Sequence, residues 1–254
     1  MNRLIRLYPI LIYIFLYLPI IVLVVFSFNS AKYSTVWHSF TLDWYKNLFS
    51  NASLVSATKN SLLIATLSAS LATIIGTIGA VGFYNYKFIG RKVFSSITYV
   101  IAIYPDIIMG ISLLVLFKFL HLKLGFYTVL LAHITFNIPF IVVIVHSGLK
   151  CFDKNLINAA RDLGAGDFTI FWKIILPLIW QFVASGWLIA FTLSLDDVVV
   201  SSFVTGPDFD VLPLTLLSMA RLGIKPQINA LCSVLFMITL ILVFTSHFLF
   251  RKKS

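Results

Sequence analysis

Apolar residues fall in six long runs, 8–28, 61–83, 93–117, 126–147, 174–195 and 228–250, with shorter polar stretches between them. A helix needs about 20 such residues to cross about 30 Å of hydrocarbon, and each run is long enough. The pattern predicts an all-α polytopic membrane protein of six transmembrane helices, one domain over residues 1–254 with no soluble domain left over. The first run is longer than the apolar core of a signal peptide and lacks a small-residue cleavage site, so it is expected to remain as a helix.

One polar interruption, about residues 149–176, has helical order of its own. Asp153 can cap a short helix starting at Lys154, with Leu156, Ile157, Ala160 and Leu163 on one face. Gly164 is the natural stop, since it takes positive φ without strain. Asp167 can cap a second helix running through Phe171 to a break at Pro177. Ala159 and Ala160 are small enough for another surface to come close. A compact helix-turn-helix beside a membrane bundle suits docking.

Composition agrees with the pattern: 60% hydrophobic residues, 11% charged and a mean hydropathy of +1.00 exceed what a soluble core can hide. The net charge of +10 does not point to nucleic acid, because the charge is distributed by side. Arg3, Arg6, Lys87, Arg91, Lys92, Lys150, Lys154, Arg161, Lys173, Arg251, Lys252 and Lys253 lie on one side of the six-span count. Lys32, Lys46, Lys59, Lys118, Lys123, Arg221 and Lys225 lie on the other. The bias predicts both termini and the 149–176 elbow in the cytoplasm and attraction to anionic lipid. Cys151 and Cys232 fall at different depths, so no disulfide is expected.

Polar residues inside the runs carry the candidate chemistry. In the second run Ser68, Ala72, Gly76 and Ala80 recur every four residues, beside Gly79 and Gly82, a stripe that lets helices approach closely. Asp106 follows Pro105 near the centre of the third run, where a carboxylate costs about 2.5–3.5 kcal/mol. It reads either as a carboxyl satisfied by a neighbouring helix or as a cation contact in a cavity that the Pro105 bend opens. His133, Asn137 and Pro139 in the fourth run read as structural, the first two as interhelical hydrogen-bond partners, with no second ligand at metal spacing.

The stretch from Ile174 to Val204 is broken only by Asp196 and Asp197 and exceeds one span, so its helix is expected to continue or bend past the pair. Thr192 and Ser194 share helical faces with the two acids. Adjacent acids point about 100° apart on a helix, so one can face a pathway while the other braces a neighbour. Three acids with no Arg or Lys inside the runs suit a cationic solute. In the loop after the first run, Tyr33, Trp37, Trp44 and Tyr45 read as interfacial anchors; Trp44 would also suit a cation at a pathway mouth.

The elbow resembles the EAA loop of the membrane permeases of ATP-binding-cassette (ABC) importers, through Ala159, Ala160, Gly164 and Ile174-Ile175-Leu176-Pro177, with Asn158 where that family usually has Glu. Residues 105–110, 161–165 and 192–207 are similar to the permeases of spermidine/putrescine importers. The resemblance implies a type I ABC importer permease fold in the bacterial cytoplasmic (inner) membrane. It implies four kinds of partner: a second permease subunit in a heterodimer, two copies of a cytoplasmic ATPase, an extracytoplasmic polyamine-binding protein, and lipid. It also assigns substrate-pathway roles to Trp44, Asp106, Ser194, Asp196 and Asp197, and coupling roles to Asn158, Ala159, Ala160, Gly164 and Asp167.

The chain has no Gly-x-x-x-x-Gly-Lys-Ser/Thr loop, so ATP and Mg belong to the partner ATPase, and no cofactor, metal or catalytic residue is expected here. Three other readings fit parts of the pattern. One is an ABC permease for another cationic solute. A second is an ion-gradient transporter, which would need internal repeats that the sequence lacks. The third is an intramembrane aspartyl protease, which would need Asp106 to pair with Asp196 or Asp197.

Overall fold

All six apolar runs become helix in the computed structural model, which describes residues 2–31, 36–153, 155–221 and 226–251; Lys32, Tyr33, Lys154, Lys225, Lys252 and Lys253 lie outside them. The chain divides into two compact units, residues 1–56 with 215–254, and residues 57–214.

In the first unit, α1 (Asn2–Phe26) and α2 (Asp43–Ser50) both pack on α12 (Pro226–Arg251). The loop after α1 is organised by Asn29, which is fully buried. Its amide donates to the Val36 carbonyl at 2.7 Å, and its Oδ1 accepts the His38 N–H at 2.9 Å. The Trp44 indole donates to the Asn29 carbonyl at 2.7 Å, so this ring braces the loop from α2.

The second unit is built on α3 (Ala52–Asn85), α6 (Phe126–Leu149) and α9 (Leu176–Asp196). The small-residue stripe of α3 is buried, and its purpose is visible at Gly76: a Cβ there would stand 2.8 Å from Ile141 Cγ2 of α6. Removing side-chain bulk on one helix lets a large residue of the other fill the gap, which in a lipid setting is the main source of helix association.

The third run does not form one continuous helix. It breaks into α4 (Arg91–Ile103) and α5 (Asp106–Phe119), bent by 111°. Pro105 disfavours helical ψ in the residue before it, and Tyr104 accordingly sits at ψ 139. Asp106 is therefore the exposed first residue of α5, where the helix dipole favours a carboxylate, and not the middle of a helix. By length and hydropathy alone, three helical stretches among the described residues are able to cross a membrane, Ala52–Asn85, Phe126–Leu149 and Asp167–Asp196, or four with the bent pair. Shorter apolar helices lie at Leu11–Phe26 and Pro226–Met237.

The elbow is a helix-turn-helix, α7 (Asn155–Asp162) then α8 (Asp167–Ile170). Asp153 Oδ1 accepts the Asn155 N–H at 3.0 Å, and Gly164 turns the chain at φ 84. Three expectations need correction. Of the four apolar positions expected on one face of the first helix, Ile157 and Ala160 are buried, but Leu156 and Leu163, the latter just past α7, are 51% and 88% exposed. Asp167 caps nothing; Gly166 holds the cap position and makes no side-chain bond. Pro177 does not end the second helix: a π-helical turn, Phe171–Ile175, leads straight into α9. A proline in the first turn of an α segment lacks an N–H that has little use there, and the wider turn ahead of it absorbs its ring. After α9 come α10 (Val199–Val204) and α11 (Leu212–Arg221).

Candidate functional site

One helical stretch, Asp167–Asp196, carries the elbow at one end and the acid pair at the other. At 1.5 Å per residue the ends are about 40 Å apart, so Asp167 and Asp196 belong to different sites.

At the acid end the chain leaves helical geometry at Asp197 (φ −65, ψ 119) and re-enters it in α10. The Asp197 carboxylate is occupied: Oδ1 accepts the Val200 N–H at 3.1 Å and Oδ2 the Ser201 N–H at 2.7 Å. This satisfies donors that the start of α10 would otherwise leave bare in an apolar setting. His133 of α6 places Nε2 3.0 Å from Ser201 Oγ and 3.5 Å from Asp197 Oδ2. Asp196, one residue earlier, is exposed.

Ser194 is buried, and its Oγ meets Asn137 Nδ2 at 2.7 Å and Ser68 Oγ of α3 at 2.9 Å. Further along α6, Thr128 Oγ1 donates to the Val204 carbonyl at the end of α10, 2.7 Å away. Three polar residues of one helix thus hold three points of the broken segment. The structure brings Ser194, Asp196 and Asp197 together. It seats α10 against α5 at Gly110, one turn from Asp106, where a Cβ would stand 2.6 Å from Phe203 Cδ2. Trp44 belongs to the first unit, in the loop brace already described. Sequence reasoning took Ser68 only as part of the packing stripe and assigned no role to Thr128 or Ser201; the available signal was that hydroxyls deep in apolar runs need partners.

At the elbow end, the Asp167 carboxylate accepts the Tyr86 hydroxyl at 2.9 Å and Arg161 Nη2 at 3.1 Å. This clasp joins the end of α3, the last turn of α7 and the start of α8. The hydrogen bond to Asp167 holds the Tyr86 phenol above its usual titration range. Asn158, Ala159 and Gly164 are exposed, while Ala160 is buried beneath them. Leu156, Leu163, Phe168 and Trp172 are at least half exposed around the same elbow.

Residues 72–252 match the family described as "Binding-protein-dependent transport system inner membrane component". The chain is 50% identical over 243 residues to the spermidine/putrescine transport system permease protein PotC of Escherichia coli K12, covering 96% of this chain and 92% of that one. It is 44% identical to PotC of Haemophilus influenzae, covering 96% and 95%. To the putrescine transport system permease protein PotI of Escherichia coli K12 it is 41% identical over 228 residues, covering 87% and 81%. Among solved structures it resembles a chain of a bacterial ABC transporter that imports alginate, with a TM-score of 0.74 at 18% identity over 97% of both chains. It also resembles a chain of the MetNI methionine ABC transporter, with a TM-score of 0.65 at 19% identity over 79% of this chain and 96% of that one. At such identities these two speak for the fold, that of type I ABC importer permeases. The chain belongs to the inner membrane components of binding-protein-dependent transport systems, and is a permease, not an enzyme.

Proposed function

We propose that this chain is one of two permease subunits of an ATP-driven polyamine importer, forming half of a cation pathway and coupling it to a cytoplasmic ATPase through the 149–176 elbow. Two ATPase copies hold ATP and Mg, and an extracytoplasmic binding protein delivers the substrate. The observation that carries this reading is the uninterrupted helical stretch from Asp167 to Asp196, which joins an exposed apolar elbow to an exposed carboxylate. The likeness to PotC and PotI supports a polyamine as the cation.

In this reading Asp196, and Asp106 at the start of α5, receive ammonium groups, while Ser194 and Asp197 keep the segment in shape. Trp44 would stack on the substrate at the pathway mouth, a role that competes with its loop brace. ATP-driven closure displaces the elbow, and the shared helix carries that displacement to the acid end. The test is uptake of labelled spermidine and putrescine by proteoliposomes containing both permeases, the ATPase and the binding protein. Uptake that requires ATP and falls with Asp196→Asn is expected. Uptake driven by an ion gradient without ATP, or unchanged by both Asp196→Asn and Asp106→Asn, overturns the proposal.

A further inference from the structure

His133 and Asn137 are one helical turn apart on α6 and both fully buried. Their partners lie on opposite sides of the break between α9 and α10. Asn137 holds Ser194, two residues before Asp196; His133 holds Ser201 and Asp197, beyond it. We propose that His133 and Asn137 are positioning residues for the Asp196 carboxylate, fixing the two flanks of the break on one rigid helix so that Asp196 stays turned outward. The inference deepens the import reading and rests on its choice of Asp196 as the pathway acid.

Two further observations support it. The first is the division of labour between the adjacent acids. Asp197 has both oxygens engaged by backbone N–H groups and His133 beside it, so it offers little to an incoming ammonium, and only Asp196 presents an open carboxylate. That difference exists only while the chain leaves helical geometry at Asp197. If α9 simply continued, the two acids would stand about 100° apart, and the cap on α10 would be lost.

The second is what the two side chains leave unpaired. Asn137 Oδ1 and His133 Nδ1 are buried without a hydrogen-bond partner. A packing role alone would be filled better by an apolar residue, which strands no polar atom in an apolar interior. The orientation follows from the neighbours: a proton on Nε2 of His133 serves both Ser201 Oγ and Asp197 Oδ2 and leaves Nδ1 as the bare acceptor.

The test reads the orientation of position 196 directly, in the assembled transporter in membrane vesicles. Asp196→Cys is made with Cys151→Ser and Cys232→Ser, and its labelling rate by a cationic methanethiosulfonate is followed. Adding His133→Leu or Asn137→Leu is expected to change that rate roughly three- to tenfold, the span that one interhelical hydrogen bond covers. His133→Gln, which returns an N–H near the Nε2 position, is expected to restore it. Trp187→Phe removes a comparable hydrogen bond, from the indole to Ser70 Oγ, away from the break, and should leave the rate unchanged. Rates within twofold of the background in both leucine variants overturn the inference, and so does an equal change in Trp187→Phe. Polyamine uptake by the unaltered transporter in the same vesicles tests the import reading separately: no uptake with the labelling pattern intact removes that reading and keeps the positioning role.

Discussion

Gly110 is the contact on which the approach of α5 to α10 depends, and adding one methyl group there tests whether that approach matters. A Cβ at this position would lie 2.6 Å from Phe203 Cδ2, 3.3 Å from Phe203 Cγ and 3.3 Å from Val200 Cα. The first contact is to a ring carbon near the backbone, and the last is to backbone itself, so the two helices must separate. Overpacking of this kind costs about 1–3 kcal/mol. Against it, Ala regains about 1 kcal/mol of helix propensity over Gly.

Gly110→Ala therefore destabilises by up to about 2 kcal/mol in the native background. In a Phe203→Ala background the two ring contacts are gone and only the 3.3 Å approach to Val200 Cα remains, so the same substitution should be neutral to stabilising by up to about 1 kcal/mol, and the coupling energy should reach up to about 3 kcal/mol. Thermal unfolding of the four variants in mild detergent measures the cycle. Uptake should fall with Gly110→Ala and recover in part with Phe203→Ala, since the displaced helix follows Asp197 directly. Equal effects of Gly110→Ala in both backgrounds would show that α5 and α10 are not in contact there and would remove Asp106 from the neighbourhood of the acid pair.

Asp196→Asn should reduce polyamine uptake by about tenfold or more, the scale of a lost hydrogen bond to a charge, with no loss of thermal stability. Asp197→Ala should lower stability by about 0.5–2 kcal/mol as the cap on α10 is lost; unchanged stability would mean the cap is not formed. Gly164→Val forces a β-branched residue into the left-handed region at a cost of about 1–2 kcal/mol and should weaken ATPase co-purification, whereas intact co-purification and transport would count against the elbow as the docking element. The Tyr86 phenol is held above its ordinary range, so its contribution is fully present below the unfolded phenol's pKa and lost as pH rises through the higher folded value. Uptake should then fall at alkaline pH in the native chain, and this limb should be absent in Tyr86→Phe; an identical pH profile in the two would rule the clasp out of coupling.

What the sequence made legible was local. The elbow, its Gly164 turn and the stripe on α3 follow from short-range spacing, whereas the passage through Pro177, read as a break, is carried by a π turn that spacing does not reveal. The misses share another cause. Hydropathy counted 93–117 as one run and Pro105 marked a bend in it, but that the bend is a complete break of 111° between two helices follows only from the backbone restriction before proline. Asp167 looked like a cap because its partners, Tyr86 just after α3 and Arg161 on α7, are 81 and 6 residues away and neither shares its helix. Leu156 and Leu163 fitted the inner face of α7 by spacing, but periodicity marks an apolar face without saying which partner covers it. The same holds for Asp196 and Asp197, whose spacing allowed one outward and one bracing acid but not the order.

A helix of this length transmits motion only as well as its ends are held. The acid end is held on three sides, by Ser68 of α3 and by Asn137 and His133 of α6, so it has little freedom to move against the bundle. The elbow end is held by an exposed clasp and by the burial of Ile157, Ala160 and Ile170, and between the two stands the π turn Phe171–Ile175. A π turn is one of the few places where a helix bends, so the stretch bends most easily within a few residues of the elbow. On the proposed coupling reading, force applied at the elbow reaches α9 by two routes, along the backbone through that turn and across the clasp to Tyr86, which directly follows α3, the helix that carries Ser68. The second route lets an elbow displacement act on the acid pair even while the first one bends, because α3 touches both ends: Tyr86 meets Asp167 and Ser68 meets Ser194. On the proposed coupling reading, the transmission belongs to α3 and α9 together, and the carboxylate at position 167 matters for its bond to Tyr86 at the end of α3.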